Sequence, residues 1–244
     1  MPGELLVAIG RERFNSPERH SVHLVDDVEQ NDFLNDIEHV PHAYVLACLM
    51  DRQIKAERAW AIPYKIKQLV NSFDVDVLVS ISCDDYIRMF EENKLHRFNG
   101  KMAKVFHSGI IRINNTYDGD ASAIWRNNPR SAKVVYDFMQ FDGSGVKIAT
   151  MAANILARQF KISFSDFYSI DISPDVHVLR VMRRAGIVPR NATLEHIVYK
   201  ARELNPAFPG IIDYSCWEIG REWCKAQNPR CNECIITERC RKHI

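Results

Sequence analysis

The sequence has almost no net charge, no long hydrophobic run and no repeated or low-complexity segment. Its 32 lysines and arginines nearly balance its 31 aspartates and glutamates, and the formal net charge is +1. A nucleic-acid partner would therefore have to meet local basic patches, because there is no global positive field to attract it. The lack of a long apolar run and of a secretory pattern predicts no membrane span and a reducing, intracellular compartment.

Cysteine is sparse along most of the chain but dense near the end of the sequence. Cys224, Cys231, Cys234 and Cys240 are separated by six, two and five residues. Thiolates at this density bind a metal or form disulfides. Structural zinc sites usually contain two CxxC-type pairs, and only Cys231 and Cys234 form one here. The spacing therefore favours one 4Fe-4S cluster, with a thiolate for each iron, over a zinc ion and over disulfides.

Apolar residues recur at steps of three and four along most of the chain, which predicts an all-α fold. Prolines and glycines separate the predicted helices. These helices cover 42–60, 63–73, 83–92, 100–113, 129–140, 146–160, 174–185, 193–204 and 212–224. The first 40 residues are ambiguous, because the stretches LLVAIG and SVHLVDDV fit either short strands or an irregular arm.

A glycine-containing turn, DGSGVK, separates two of the predicted helices. Its two glycines permit positive φ and let a ligand approach the backbone, and the N–H groups that begin the next helix can hold a phosphate. The pattern indicates a helix-hairpin-helix at 130–160 that grips the DNA backbone without reading its sequence. The predicted DNA-binding residues of the turn are Gly143, Ser144, Gly145 and Val146. A GxG taken alone more often marks an ordinary turn.

A third motif, SPDVHVLRV, begins at Ser173 and has the residues of a helix start. Asp175 within it has two interpretations. Its carboxylate can stabilise the positive end of the helix dipole, as acidic residues in a first turn usually do. It can also serve as a catalytic carboxylate.

These motifs, in this order, resemble those of the endonuclease III family of DNA glycosylases over residues 42–244. The cysteine spacing, the local text NPRCNECII and the segment DVHVLRV carry the resemblance. It implies a two-lobed helix-hairpin-helix glycosylase fold. One lobe would be a helical barrel at 42–158, and the other would combine 1–41 with 159–244 and contain the cluster loop at 224–240.

The resemblance also implies the catalytic residues. Lys147 would be the nucleophile that attacks the sugar C1′ and forms a Schiff base. Asp175 would stabilise the positive charge that develops as the glycosidic bond breaks. The two side chains would converge across a cleft between the lobes. Trp217, Trp223 and Ile235 would shield the cluster.

Further DNA-contacting residues follow from the same resemblance. Gln53 and Arg97 would act where the target nucleotide leaves the stack, although Arg97 stands where the family usually has an apolar wedge. His177 and Arg180 would position their helix or hold a phosphate. Asp142 replaces the family's proline and brings a carboxylate close to the phosphate site.

The implied activity is that of a bifunctional DNA N-glycosylase and AP lyase, which removes damaged, chiefly oxidised, pyrimidines by Schiff-base formation and β-elimination. Its partner would be double-stranded DNA with a damaged or abasic nucleotide, and it would act as a monomer in the cytoplasm and nucleoid or in the nucleus. Two alternatives stay open. In the first, the same chemistry acts on oxidised guanine, mismatched thymine or uracil, or modified cytosine. In the second, the chain is a non-catalytic DNA-binding iron–sulfur module.

Overall fold

The computed structural model describes residues 1–16 and 24–244, and their regular structure is entirely helical, without a strand. The predicted all-α class is therefore confirmed. Three short 3-10 turns accompany the α-helices, at Ala121–Ile124, Pro209–Ile212 and Cys231–Glu233. The α-helices are α1 (Pro2–Asn15), α2 (Val28–Asn35), α3 (Pro41–Met50), α4 (Ala56–Trp60), α5 (Ile62–Val70), α6 (Val75–Ser80), α7 (Cys83–Glu92), α8 (Asn99–Tyr117), α9 (Ser131–Met139), α10 (Val146–Arg158), α11 (Val176–Arg184), α12 (Leu194–Leu204) and α13 (Asp213–Glu222).

Most predicted helices are present, but the single helix predicted over 42–60 is wrong. Helix α3 ends at Met50, and α4 begins only at Ala56. Between them Gln53 has a φ of 55°, a left-handed conformation that an α-helix cannot contain. The stretch LLVAIG lies within α1, so it is helical and not a strand. Residues 21–23 of SVHLVDDV lie outside the described residues.

The chain divides into two compact units, each with its own core. The cysteine unit comprises Met1–Arg19, Arg130–Val135 and Ala153–Ile244, and the hairpin unit comprises His20–Pro129 and Tyr136–Ala152. The sequence-based lobes were divided near residues 41 and 158, and those boundaries stay a prediction. None of the helices in the described part of the chain has both the length and the hydropathy for a bilayer crossing.

Helix α3 forms the centre of the hairpin unit, because all ten of its residues are buried. The hydroxyl of Tyr44 donates a 2.7 Å hydrogen bond to the carbonyl of Ala152 in α10. The edges of Trp125 and Phe138 pack against the Tyr44 ring. Such ring contacts and the buried hydrogen bond hold α3 in one orientation. The end of α3 and the loop that follows are thereby placed by the core.

Close packing of α11 on α13 organises the part of the cysteine unit that carries its candidate site. A Cβ on Gly220 of α13 would lie 2.6 Å from the Cβ of His177 in α11. Only glycine permits this approach, because a side chain would have to push the helices apart. The amide of Asn154 in α10 also donates to the Gly210 carbonyl over 2.8 Å and anchors the chain just before α13.

Candidate functional site

The glycine turn of the hairpin exposes its backbone. Gly143 has a φ of 79°, which favours glycine, and the N–H of Ser144 closes the turn by donating to the Phe141 carbonyl over 3.0 Å. A Cβ on Gly145 would meet no atom within 4 Å. The side chain of Val146, the first residue of α10, is 56% exposed. A phosphodiester can therefore reach the backbone here without a steric obstacle.

Lys147 lies in the first turn of α10, directly after the open backbone of the hairpin. Its side chain is exposed, and its ammonium makes no hydrogen bond or ion pair with the described residues. No carboxylate therefore competes for this amine. The lysine is accessible to a ligand held on the hairpin.

His96 connects two loops of the hairpin unit. One contains Arg97, and the other contains Gln53. Nε2 of His96 lies 3.2 Å from the carbonyl oxygen of Met50, and its Nδ1 accepts a 3.0 Å hydrogen bond from the N–H of Phe98. Because Nδ1 is an acceptor, the proton of the neutral imidazole is on Nε2, which donates to Met50. Two predicted DNA-contacting loops of the hairpin unit are thus tied by one buried side chain.

The exposed apolar side chain in this loop is Phe98, one residue after Arg97. Its ring is 39% exposed, and the guanidinium of Arg97 stacks over it at 5.2 Å from the ring centroid. Cation–π stacking orients the two side chains together. The apolar surface expected at position 97 is therefore supplied by its neighbour.

Burial lowers the pKa of His96, and the nearby guanidinium groups of Arg58 and Arg52 lower it further. Burial likewise lowers the pKa of His42 in α3. Below about pH 6.5, the usual histidine pKa, the unfolded chain takes up protons that the folded imidazoles resist. We therefore expect the free energy of unfolding to fall as the pH drops from 7 to 5, by at most about 1.4 kcal/mol per pH unit for each histidine. Urea unfolding at a series of pH values measures this slope.

The control for this prediction is His96→Gln, which has no titratable ring at this position. We expect its unfolding free energy to depend less steeply on pH than that of the wild type. An equal slope in both proteins would contradict the assignment to His96.

Asp175 caps helix α11. Its Oδ1 accepts hydrogen bonds of 2.8 Å from the backbone N–H groups of His177 and Val178. Its second carboxylate oxygen accepts no hydrogen bond from the described residues, and the side chain is half-buried. The helix-capping interpretation is therefore confirmed. The catalytic one stays a prediction that this geometry permits, because one oxygen is left for a ligand.

Arg180 joins α11 to the loop of cysteines. Its Nε donates to the Cys224 carbonyl over 2.6 Å, and its Nη2 donates to the Gly220 carbonyl over 2.8 Å. The same Nη2 lies 2.9 Å from Nδ1 of His177. Because these contacts occupy its donors, the geometry favours positioning of the helix over phosphate binding for both residues.

The four C-terminal cysteines line one cavity, whose empty space is about 390 Å³ when the solvent at its open mouth is included. Apolar side chains, including Val181, Ile219, Trp223 and Ile236, form much of its wall. Trp223 thus has the predicted place. The prediction for Ile235 is wrong, because this side chain is 43% exposed, whereas Ile236 is only 2% exposed. The irregular chain after the short turn Cys231–Glu233 turns the second of these isoleucines inward.

Hydrogen-bond donors surround these thiols. Burial raises the pKa of Cys234 and of Cys240, and the charges of the neighbouring thiolates raise both further. The N–H of Lys242 donates to Sγ of Cys240 over 3.3 Å, and Nη1 of Arg184 lies 3.8 Å from Sγ of Cys224. Donors of this kind stabilise thiolates, which are the form that binds metals.

The composition of the cavity wall fits an iron–sulfur cluster. Four thiols are the ligand set of a 4Fe-4S cluster. The hydroxyl oxygen of Thr237, which also lines the cavity, is buried and has no hydrogen-bond partner in the described residues. A cluster sulfur would give it an acceptor. Within residues 1–16 and 24–244, no three histidine, cysteine or acidic side chains are grouped as ligands of a single metal ion.

The two predicted catalytic residues belong to different units, Lys147 to the hairpin unit and Asp175 to the cysteine unit. Their convergence across a cleft stays a prediction. Sequence reasoning missed His96, Arg184 and Thr237. His96 contacts a residue 46 positions away and Arg184 one 40 positions away, so no local pattern revealed either.

Comparisons with known proteins give partial matches in sequence. No protein-family model matches the chain. An alignment of 74 positions, which covers 28% of the chain and 14% of the relative, gives 31% identity to adenine DNA glycosylase of Rattus norvegicus. A stretch of 70 residues, also 28% of the chain, is 37% identical to endonuclease III of Thermotoga maritima and covers 32% of it. The chain therefore spans about a third or less of these relatives.

The likeness to solved structures covers most of the chain. A trapped covalent intermediate of endonuclease III with DNA matches 87% of this chain and 92% of its own, with a TM-score of 0.61 and 15% identity. A non-covalent endonuclease III–DNA complex matches with the same values. A thermostable thymine-DNA glycosylase matches 98% of this chain and 95% of its own, with a TM-score of 0.63 and 14% identity. At these identities the likeness establishes the fold.

Proposed function

We propose that this chain is a base-excision DNA glycosylase with AP lyase activity. Its resemblance to the endonuclease III-like glycosylases is confirmed in fold and in parts of its sequence. The observation that carries the proposal is the exposed, unpaired Lys147 two residues after the open backbone of Gly145. A nucleophile in this place meets a sugar whose phosphate is held by the hairpin. The partner is double-stranded DNA with a damaged or abasic nucleotide.

In the proposed reaction, Lys147 supplies the electron pair that replaces the glycosidic bond. Its neutral amine attacks C1′ as the base leaves with the bonding electrons and takes up a proton. Loss of the amine proton and ring opening give the Schiff base, and abstraction of a C2′ proton then expels the 3′ phosphate by β-elimination. The exposed hairpin backbone contributes by holding the phosphate, which keeps the sugar within reach of the amine.

Asp175 is proposed to stabilise the positive charge that develops on the sugar as the base departs. The cap geometry suits this role, because two N–H groups hold one oxygen in place and leave the other available. A side chain fixed in this way loses little conformational freedom when substrate binds. We propose that the base removed is a damaged pyrimidine.

Cys224, Cys231, Cys234 and Cys240 are proposed to hold a 4Fe-4S cluster. The bound cluster supplies a rigid crosslink of the loop and not a substrate site, because four thiolates complete the coordination of its irons. The chain's own residues support this arrangement. Arg184 and Lys242 provide donors beside the thiols, and Arg180 fixes the carbonyl of the first cysteine.

Asp175→Asn separates catalysis from helix capping. Asparagine caps helices about as well as aspartate, so we expect the free energy of unfolding to change by only a few tenths of a kcal/mol. The loss of charge should slow base release about 100-fold or more. Base release from a duplex with one oxidised pyrimidine measures the rate, and urea unfolding measures the stability. A variant with the wild-type rate would contradict the catalytic role.

A different target base is the specific alternative, because the similar proteins include an adenine and a thymine-DNA glycosylase. Duplexes that each contain one oxidised pyrimidine, oxidised guanine, mismatched adenine, thymine or uracil, or modified cytosine distinguish the targets by which base is released. The second alternative, a non-catalytic binding module, is based on Asp142, where the hairpin departs from the sequence of the catalytic family. That function would be supported by duplex binding without release of any of these bases.

A further inference from the structure

Arg52 lies against the glycine turn of the hairpin. A Cβ on Gly143 would be 3.0 Å from Nη1 of Arg52 and 3.3 Å from both γ-methyl groups of Val105. All three residues belong to the hairpin unit. Because Gly143 has no side chain, the guanidinium directly borders the backbone that would receive a phosphate.

Arg52 is half-buried as a residue, and its guanidinium makes no hydrogen bond or ion pair with the described residues. Arg58, on the same stretch of chain, is different, since its guanidinium donates to the carbonyls of Lys94 and Leu95. The guanidinium donors of Arg52 are therefore available to a ligand at the turn, whereas those of Arg58 are used within the protein.

Hydrogen bonds fix the backbone of the loop after α3 and thereby keep Arg52 beside the glycine turn. The N–H of Arg52 donates to the Met50 carbonyl over 2.7 Å, and Nε2 of His96 donates to the same carbonyl over 3.2 Å. Gln53 follows in a left-handed conformation with an exposed side chain. The turn thereby separates the two side chains and leaves Arg52 beside the hairpin.

We propose that Arg52 binds a DNA backbone phosphate together with the hairpin turn. A guanidinium suits this ligand, because its planar donors match two phosphate oxygens. Its charge also offsets Asp142, the exposed carboxylate next to Gly143, which would otherwise repel DNA. In a protein with a formal net charge of +1, the attraction of DNA depends on local cations such as this one. The inference rests on the proposed binding of DNA.

The test is the salt dependence of DNA binding. Fluorescence anisotropy with a short undamaged duplex, over a series of NaCl concentrations, gives log Kd against log salt for each protein. We expect Arg52→Ala to weaken binding about tenfold and to lower the magnitude of the slope by about 0.9, the value for one phosphate contact. Arg52→Lys keeps the charge and should retain the slope with weaker binding.

Arg88→Ala is the matched control, because Arg88 is an exposed arginine of the same unit that pairs with Asp85. We expect its slope to equal that of the wild type. An unchanged slope for Arg52→Ala, in a wild type that binds with a clear salt dependence, would overturn the Arg52 proposal and leave the proposed function intact. A wild type without salt-dependent binding would instead overturn the proposed function. Circular dichroism of each variant checks the fold, and Arg52→Lys still tests the charge if the alanine variant unfolds.

Discussion

We expect borohydride to trap a covalent adduct between the wild-type protein and a duplex that contains one abasic site. The substitution Lys147→Ala should abolish this adduct. The adduct requires a primary amine that forms a Schiff base with the opened sugar, and alanine has none. Lys147 is exposed in the first turn of α10 and has no partner among the described residues. Gel electrophoresis under denaturing conditions measures the adduct directly.

Two further variants make this result specific to Lys147. Lys104→Ala removes another exposed lysine of the hairpin unit and should form the adduct like the wild type. Lys147→Arg keeps the positive charge without the nucleophilic amine, so it should bind the duplex but form no adduct. An adduct that persists in Lys147→Ala would assign the nucleophile to another amine. No adduct in the wild type would remove the lyase from the proposed function.

Cys234→Ser is expected to deprive the purified protein of iron and of the visible absorbance of an iron–sulfur centre. The wild type, purified without oxygen, should contain about four irons per chain. Serine is a poor ligand for this soft site, and the other three thiols do not complete the set. Because ligand binding and folding of such a loop are coupled, the variant should also unfold at a lower urea concentration.

Cys83→Ser provides the control for this experiment. Cys83 begins α7 in the hairpin unit and is only half-buried, so its replacement should leave the iron content unchanged. Metal analysis also distinguishes the two metal sites that the cysteine spacing admits. About one zinc per chain without iron would overturn the cluster and retain a structural zinc ion.

The sequence predicted the bounds of a helix correctly where residues adjacent in the chain determine its ends. Helix α7 was predicted with its observed bounds, and the hydroxyl of Ser82 caps it by accepting from the N–H of Asp85 over 3.2 Å. The division between α3 and α4 was not predicted. The end of α3 depends on a hydrogen bond from His96, which lies far along the sequence. Periodicity cannot reveal a contact of this kind.

The candidate site shows the same distinction. The cysteine spacing predicted which four side chains would line one cavity, because all lie within a short stretch of chain. The environment of Arg52 was not predictable, since it depends on where the turn at Gly143 folds back. The choice between Ile235 and Ile236 also required the backbone of an irregular loop. The residue types thus indicated the chemistry of the site. Which side chains contact one another in it depends on long-range packing, which the sequence alone does not show.

Helix α11 has one further consequence. Asp175 caps its first residue, and Arg184 at its last residue touches the first cysteine, so about 13 Å of one stiff helix separates the two. A helix of this length is rigid, so a displacement of one end also displaces the other end. We therefore expect oxidative damage to the thiols to displace the carboxylate at the far end. Because Asp175 is the proposed catalytic carboxylate, oxidants that reach only the thiols should then lower the proposed activity.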